Sequence, residues 1–261
     1  MKIILKYLFF SLCIATCLAT GSLFYVLSNH VIDLSPLAHY NPGKPSILLD
    51  DQGEEWGRFS LDRRQPISLS EMPQHVINAF IAAEDWRFFA HGGISWKGII
   101  RSTFINAYHR RIVQGASTIT QQLVKLLFFD SQRTFSRKIK EQIYSILVEQ
   151  QFTKEYILET YLNHIYFGSG IYGVQAASQR FWGKNAADLT IGESAVLASI
   201  VRSPNHYCPL NSTKAAQARR DVVLRSMLKL HSITQEEYTN AIAQPVVVIT
   251  HDVSSCAPHL K

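Results

Sequence analysis

Between Tyr7 and Leu27 no side chain carries a charge, and that run limits what the rest of the chain can become. As a helix rising about 1.5 Å per residue it spans roughly 30 Å, the thickness of a bilayer's hydrocarbon core. Lys2 and Lys6 precede it, which predicts a cytoplasmic N-terminus and export of everything after Asn29. The competing reading is a cleaved signal peptide, but the apolar stretch is long for one and no small-x-small site closes it. A lipoprotein signal ending at Cys17 fits less well, because Thr16 stands before the cysteine. The 261-residue chain leaves enough beyond this run for one sizeable core.

Residues 33–45 are polar and proline-punctuated, as in a stalk. Ile47–Asp50 and Glu54–Phe59 flank Asp51, Gln52 and Gly53 and predict a small hairpin with Gly53 in its turn. Helical spacing then dominates. It begins at Pro73, a residue suited to a first turn, and recurs over 94–112, 136–151, 153–167 and 213–230, with Thr153 as an N-cap. Thr190 with Glu193, and Thr234 with Glu237, form capping-box patterns, so those glutamates read as structural. After Pro245 the segment 246–250 is a strand or an extended tail. The stretch 94–112 mixes aromatic, aliphatic and basic side chains, which suits an ordinary amphipathic helix or a mobile flap touching a membrane. Ser226-Met-Leu-Lys229 has the S-x-x-K spacing of penicillin-binding enzymes, but no S-x-N or K-T-G follows it.

Chemistry concentrates between Glu84 and Glu141. On a helix over 73–84, Val76, Ile77, Phe80 and Ile81 share one face and Glu84 projects from its middle. A carboxylate over apolar side chains, at a helix C-terminus, should have a raised pKa. A general base working near neutral pH benefits from that placement. Farther on, Lys125, Arg133, Arg137, Lys138 and Lys140 crowd together with Glu141 beside them. Arg137 and Glu141 face away from the apolar stripe Ile139, Ile143, Ile146 and Leu147. Their plainest reading is a solvated pair worth about 0.3–0.5 kcal/mol; the density of cations points instead to a polyanion.

These residues fall into motifs that resemble the peptidoglycan glycosyltransferases, glycosyltransferase family 51, in their single-domain, monofunctional form. The first, E-D-x-x-F-x-x-H-x-G, is Glu84, Asp85, Phe88, His91 and Gly93. The second runs from Gly115 through Ser117, Thr118 and Thr120 to Gln121 and Gln122. The third is Arg137, Lys138 and Glu141, preceded by Arg133 and Thr134. The fourth joins Ile157 and Leu158 to Tyr161, Leu162 and Asn163 and continues through Ile165–Gly168 and Tyr172–Val174. The fifth is Arg202-Ser-Pro204 with Tyr207 and Pro209. Together they cover about residues 45–230. One departure is Leu126, where the family often has Asn after the lysine at 125.

The resemblance implies a mainly α, lysozyme-like helical glycosyltransferase domain with a small N-terminal hairpin and one transmembrane helix. The expected division is a cytoplasmic tail at 1–6, an anchor at 7–28, a stalk and hairpin at 29–60, the catalytic domain at 61–230, and a C-terminal helix and tail at 231–261. The implied reaction polymerises lipid II into β-1,4 glycan strands with inversion and release of undecaprenyl pyrophosphate. Glu84 would be the base, and Glu141 would orient cations and donor phosphates. Asp85, Ser117, Thr118, Gln121, Gln122, Lys125, Arg133, Arg137 and Lys138 would bind substrate, although Ser117 or Thr118 is as well suited to capping a helix, and Asp85 to anchoring its turn. His91 reads as a structural hydrogen-bonding residue.

The net charge of +6 and pI near 9.1 favour anionic partners. No nucleic-acid motif is present, so the expected partners are lipid II, the growing glycan chain and membrane lipids, with a transpeptidase or other division and elongation proteins as candidates. The expectation is that no cofactor is required; a divalent metal at the pyrophosphate is compatible with the reaction but is not indicated by the sequence. The expected location is the inner membrane with the catalytic domain in the periplasm. Cys13 and Cys17 serve as small hydrophobes; Cys208 and Cys256 would both be exported, where a disulfide can form. Two other readings stay open: a lytic enzyme that cuts the same polymer with one glutamate, and an inactive membrane scaffold of a wall-building complex.

Overall fold

The computed structural model describes residues 2–29, 34–38, 46–59, 65–111, 115–129 and 134–249. Arg133, Cys256 and much of the expected stalk therefore lie outside the described residues. The helix α1 runs over Lys2–Asn29, and among the described residues no helix is long and apolar enough to cross a membrane. A single turn, α2 (Ser35–Ala38), buries Leu37. Strands β1 (Ser46–Leu49) and β2 (Glu55–Phe59) then pair antiparallel. Asp50 closes their turn, its Oδ1 accepting from the amides of Gln52 and Glu54, and Gly53 adopts φ +81° as a tight turn requires.

The core is mainly helical. Its centre is α9 (Ile191–Ile200), in which Gly192 and every residue from Ser194 to Ile200 are buried. A helix apolar or small on all sides has to lie inside, since it has no face suited to water. Small residues at 192, 194, 195, 198 and 199 let two neighbours approach closely: α3 (Gln74–Glu84), and α11 (Thr213–Lys229). A second layer is made by α5 (Ile119–Phe128), α6 (Phe135–Gln151) and α7 (Lys154–His164). The helix α4 (Trp96–His109) lies at the surface and buries Ser102 alone.

The predicted helix 153–167 stops at His164. Gly168, Gly170 and Gly173 all have positive φ, so the chain folds into a short antiparallel pair, β3 (Tyr166–Gly168) and β4 (Ile171–Tyr172). A Cβ on Gly173 would stand 2.8 Å from the Asn163 carbonyl oxygen, which only glycine avoids. Next come α8 (Val174–Trp182), the short α10 (Pro204–Tyr207) and α12 (Gln235–Ala243). Both expected capping boxes form, at Thr190–Glu193 and Thr234–Glu237. Beyond α12 the chain is an extended tail rather than a strand. Ile249 N–H donates to Phe181 and the Trp182 indole donates to Val247. Arg220, wholly buried, donates to the carbonyls of Ile242 and Gln244 and pairs with Asp221, so its charge and its donors are used. Cys208 is buried.

The helix α6 turns differently from expectation. Its buried residues are Glu141, Ser145 and Val148, while Ile146 is exposed and Ile139 and Ile143 are half-covered. The polar face of α6, not its isoleucine stripe, packs inward, and the Arg137–Glu141 pair is consequently no solvated surface pair.

Candidate active site

Two loops converge where α3 ends. Asp85 caps α3 and is buried. Its Oδ2 accepts from the Ile119 amide at 3.1 Å and lies 2.9 Å from Nε2 of His91. One carboxylate thus ties the end of α3 to the first free N–H of α5, where a negative charge also suits the helix dipole. Of the two roles open to Asp85, anchoring its turn is the one the geometry displays. Thr118 is the N-cap of α5. Its hydroxyl accepts from the Gln121 amide and donates to the Gly93 carbonyl at 2.7 Å, and Gln121 Oε1 returns to the Thr118 amide. Both residues expected to touch substrate are therefore engaged in a capping box. Ser117, immediately before it, is exposed.

Gly93 closes the first motif for a steric reason. It has φ +83°, and a Cβ there would lie 2.5 Å from the carbonyl oxygen of Ser145 on α6. Gly93→Ala should destabilise the fold by roughly 2–4 kcal/mol, combining a strained backbone with a backbone clash. Chemical denaturation measures this directly, and a loss below about 0.5 kcal/mol, the range of ordinary surface substitutions, would show that the loop can retreat from α6.

Glu84 is the last residue of α3 and partly buried. Its Oε2 accepts from Gln122 Nε2 at 2.8 Å, and Gln122 Oε1 accepts from the Tyr161 hydroxyl at 3.0 Å. Burial raises the Glu84 pKa above the ordinary carboxylate range. The Gln122 hydrogen bond and the charges of Arg219 and Arg202 oppose that rise, and Asp85 adds to it. Arg219 is itself lowered by burial and by Arg202, and its guanidinium stands 6.0 Å from the Tyr207 ring.

The cleft beside Glu84 is lined by Asp85, Trp86, Arg87, Lys97, Arg101 and Ser117, among others. Lys138 reaches its edge, with Nζ 3.4 Å from Ser117 Oγ. Glu141, 2% exposed, holds Arg137 Nε at 3.1 Å and Lys138 Nζ at 2.9 Å, one on each carboxylate oxygen. Glu84 therefore lines the cleft whose edge Lys138 reaches, and Glu141 ties Lys138 to Arg137. Lys125 is exposed in the last turn of α5. Among the described residues no three His, Cys, Asp or Glu side chains converge to hold a metal ion.

Sequence reasoning missed several of these groups. Arg87, Lys97 and Arg101 form a second basic wall, with Arg87 and Arg101 lying 5.5 and 6.0 Å from the Trp86 ring. Arg202 lies in the fifth motif without having been read as part of the site. Arg219 carries no local signal, because only the packing of α11 on α3 brings it near Glu84.

Against known protein families, the model described as transglycosylase matches residues 52–228. The chain belongs to that family. The match takes in Glu84, Gln122, Glu141 and both arginines near the base. The chain is 43% identical over 81% of its length to penicillin-binding protein 1A of Aquifex aeolicus, and 40% identical over its whole length to penicillin-binding protein 1A of Vibrio cholerae. It spans 29% and 32% of those two chains. A crystal structure of penicillin-binding protein 1A from Haemophilus influenzae aligns with 82% of this chain and 22% of its own, at 23% identity and a TM-score of 0.44.

Proposed function

We propose that this transglycosylase polymerises lipid II. The observation that carries the reading is the cleft that Glu84 lines: its carboxylate has a raised pKa, and Lys138, held with Arg137 by Glu141, reaches the cleft's edge at Ser117. The 4-hydroxyl of an acceptor sugar is a weak nucleophile. As it forms a bond to C1 of the donor, Glu84 takes its proton and the bond from C1 to the phosphate oxygen breaks. The electron pair leaves with undecaprenyl pyrophosphate, whose developing charge Lys138, Arg137, Lys125 and Arg133 are suited to hold. Attack opposite the leaving group inverts the α-linked donor to a β-1,4 product. Ser117, exposed in the second motif and accepting from Lys138, still has its hydroxyl proton to offer a sugar or phosphate oxygen.

The surface supports a membrane setting. Trp96, Ile100, Phe104 and Tyr108 recur every fourth residue of α4 and all are exposed, Tyr108 to 85%. With Arg101, Arg110 and Arg111 nearby they suit an anionic lipid surface. The proposal of a single anchor holding a catalytic domain at 61–230 in the periplasm rests on the uncharged sequence run Tyr7–Leu27 and the lysines before it, not on the helix α1. Wall assembly, cell-shape maintenance and association with a transpeptidase belong to the same reading.

Incubating the full chain with labelled lipid II tests the function. Polymer of increasing length is the expected product. Fragments released from preformed wall would instead mark a lytic enzyme, and no turnover a scaffold. Arg137→Ala should weaken binding of a diphosphate-bearing inhibitor by roughly 10- to 100-fold, as expected for a lost charge-assisted contact of about 1.5–3 kcal/mol. Unchanged affinity in a titration would remove Arg137 from the donor site.

A further inference from the structure

The proposed reaction uses Glu84 as a base but gives no task to Tyr161, a fully buried phenol on α7. Tyr161 touches the site through Gln122 alone among the contacts described: its hydroxyl donates to Oε1 at 3.0 Å, and Nε2 of the same amide donates to Glu84 at 2.8 Å. An amide has two ends of opposite character. With nitrogen towards Glu84 it stabilises the carboxylate. Turned by 180° it would set its oxygen against the carboxylate, which is tolerable only if Glu84 carries a proton.

We propose that Tyr161 is a positioning residue which, by donating to Gln122 Oε1, locks the amide with its nitrogen towards Glu84 and so keeps that residue in its proton-accepting form. This rests on Glu84 being the base. The flipped amide would present an N–H to the phenol oxygen and strand the phenol O–H in a buried site, which costs more than the hydrogen bond is worth. Burial, reinforced by the charges of Glu84 and Asp85, holds the Tyr161 hydroxyl well above the ordinary phenol range. It therefore remains a donor at any working pH, and the lock does not itself titrate.

Other groups face Glu84 too. Arg219 comes from α11, Arg202 from the segment after α9, and Asp85 from the turn after α3. Arg87, Lys97 and Arg101 line the same cleft. The arginines act through space and through solvent, where salt screens them; the amide acts through one oriented hydrogen bond. That difference makes the role of Tyr161 separable from theirs.

The test compares full-length wild type with Tyr161→Phe, which removes one oxygen and preserves the ring. The acid limb of the polymerisation rate should move to higher pH by about half to one unit, a three- to tenfold loss on that limb, with little change on the plateau. In parallel, a 13C-glutamate titration without substrate, with the Glu84 signal assigned by Glu84→Gln, should show the same upward shift. In a Gln122→Met background Tyr161→Phe should move neither curve further, because the lock acts through that amide. A uniform rate loss at every pH, with the Glu84 titration unmoved, would overturn the proposal. If the titration moves while the rate limb does not, the lock stands and Glu84 is not the base. Should Tyr161→Phe fail to fold, Gln122→Met alone must shift the Glu84 titration upward; an unshifted curve there equally overturns the proposal.

Discussion

Glu84→Gln is expected to lower lipid II polymerisation by about 10²–10⁴-fold, the usual contribution of a positioned general base, and to raise thermal stability at neutral pH. The two effects share one cause. Burial lifts the folded-state pKa of Glu84 above its unfolded value, so the fold favours the protonated form. Below the unfolded value, near 4.3, both states carry the proton and the site contributes nothing unfavourable. As pH rises through the folded value, keeping the carboxylate ionised costs about 1.4 kcal/mol for each unit of elevation. Glutamine keeps an acceptor for Gln122 and avoids that cost. In wild type, activity should fall as pH drops through the raised value, and the acid limb should therefore lie above the ordinary carboxylate range. Gel analysis of glycan products and calorimetry read the two effects; a normal rate in the variant would end the assignment of Glu84 as base.

Glu141→Gln should cost about 2–3 kcal/mol of stability and about 10²-fold in turnover, with binding of a diphosphate probe changed far less. Removing one partner of a buried ion pair costs about 3–5 kcal/mol. The figure is reduced here because Lys138 is 41% exposed and can recover solvent, whereas Arg137 at 16% cannot. Binding has two opposed contributions, since the cations lose a competing anion and also lose the carboxylate that aligns them. Turnover has only the second, and displacing a catalytic group by about 1 Å is enough for a 10²-fold loss. Equal losses in probe affinity and turnover would show that Glu141 holds substrate rather than aligning the cations.

Much of the helical framework was legible because periodicity and caps are local. Thr153, Thr190 and Thr234 each cap the helix their sequence signals. The placement of Glu84 over an apolar face was legible for the same reason. What stayed hidden depends on which way a helix turns once packed. The isoleucine stripe of α6 suggested the wrong inward face, because a buried carboxylate paired with two cations can replace an apolar contact there. Thr118 and Gln121 looked like sugar ligands until their partners proved to be each other. Arg219 could not be anticipated, since its distance from Glu84 is set by two helices separated by more than a hundred residues of chain.

The helix α7 holds the segment that leads into α3 and, through Gln122 on α5, the last residue of α3. Asn163 pairs with both polar backbone atoms of Ile67, Glu159 accepts from the Leu69 amide, and Tyr161 reaches Glu84 through Gln122. The opposite side of the cleft is α4, tucked in by Ser102 alone. One side of the cleft is therefore fixed by hydrogen bonds, while the other is held with little buried surface. If the proposed polymerisation needs that lightly packed side to yield as a strand advances, a tether joining α4 to α6 should shorten the glycan products while leaving formation of a single bond intact.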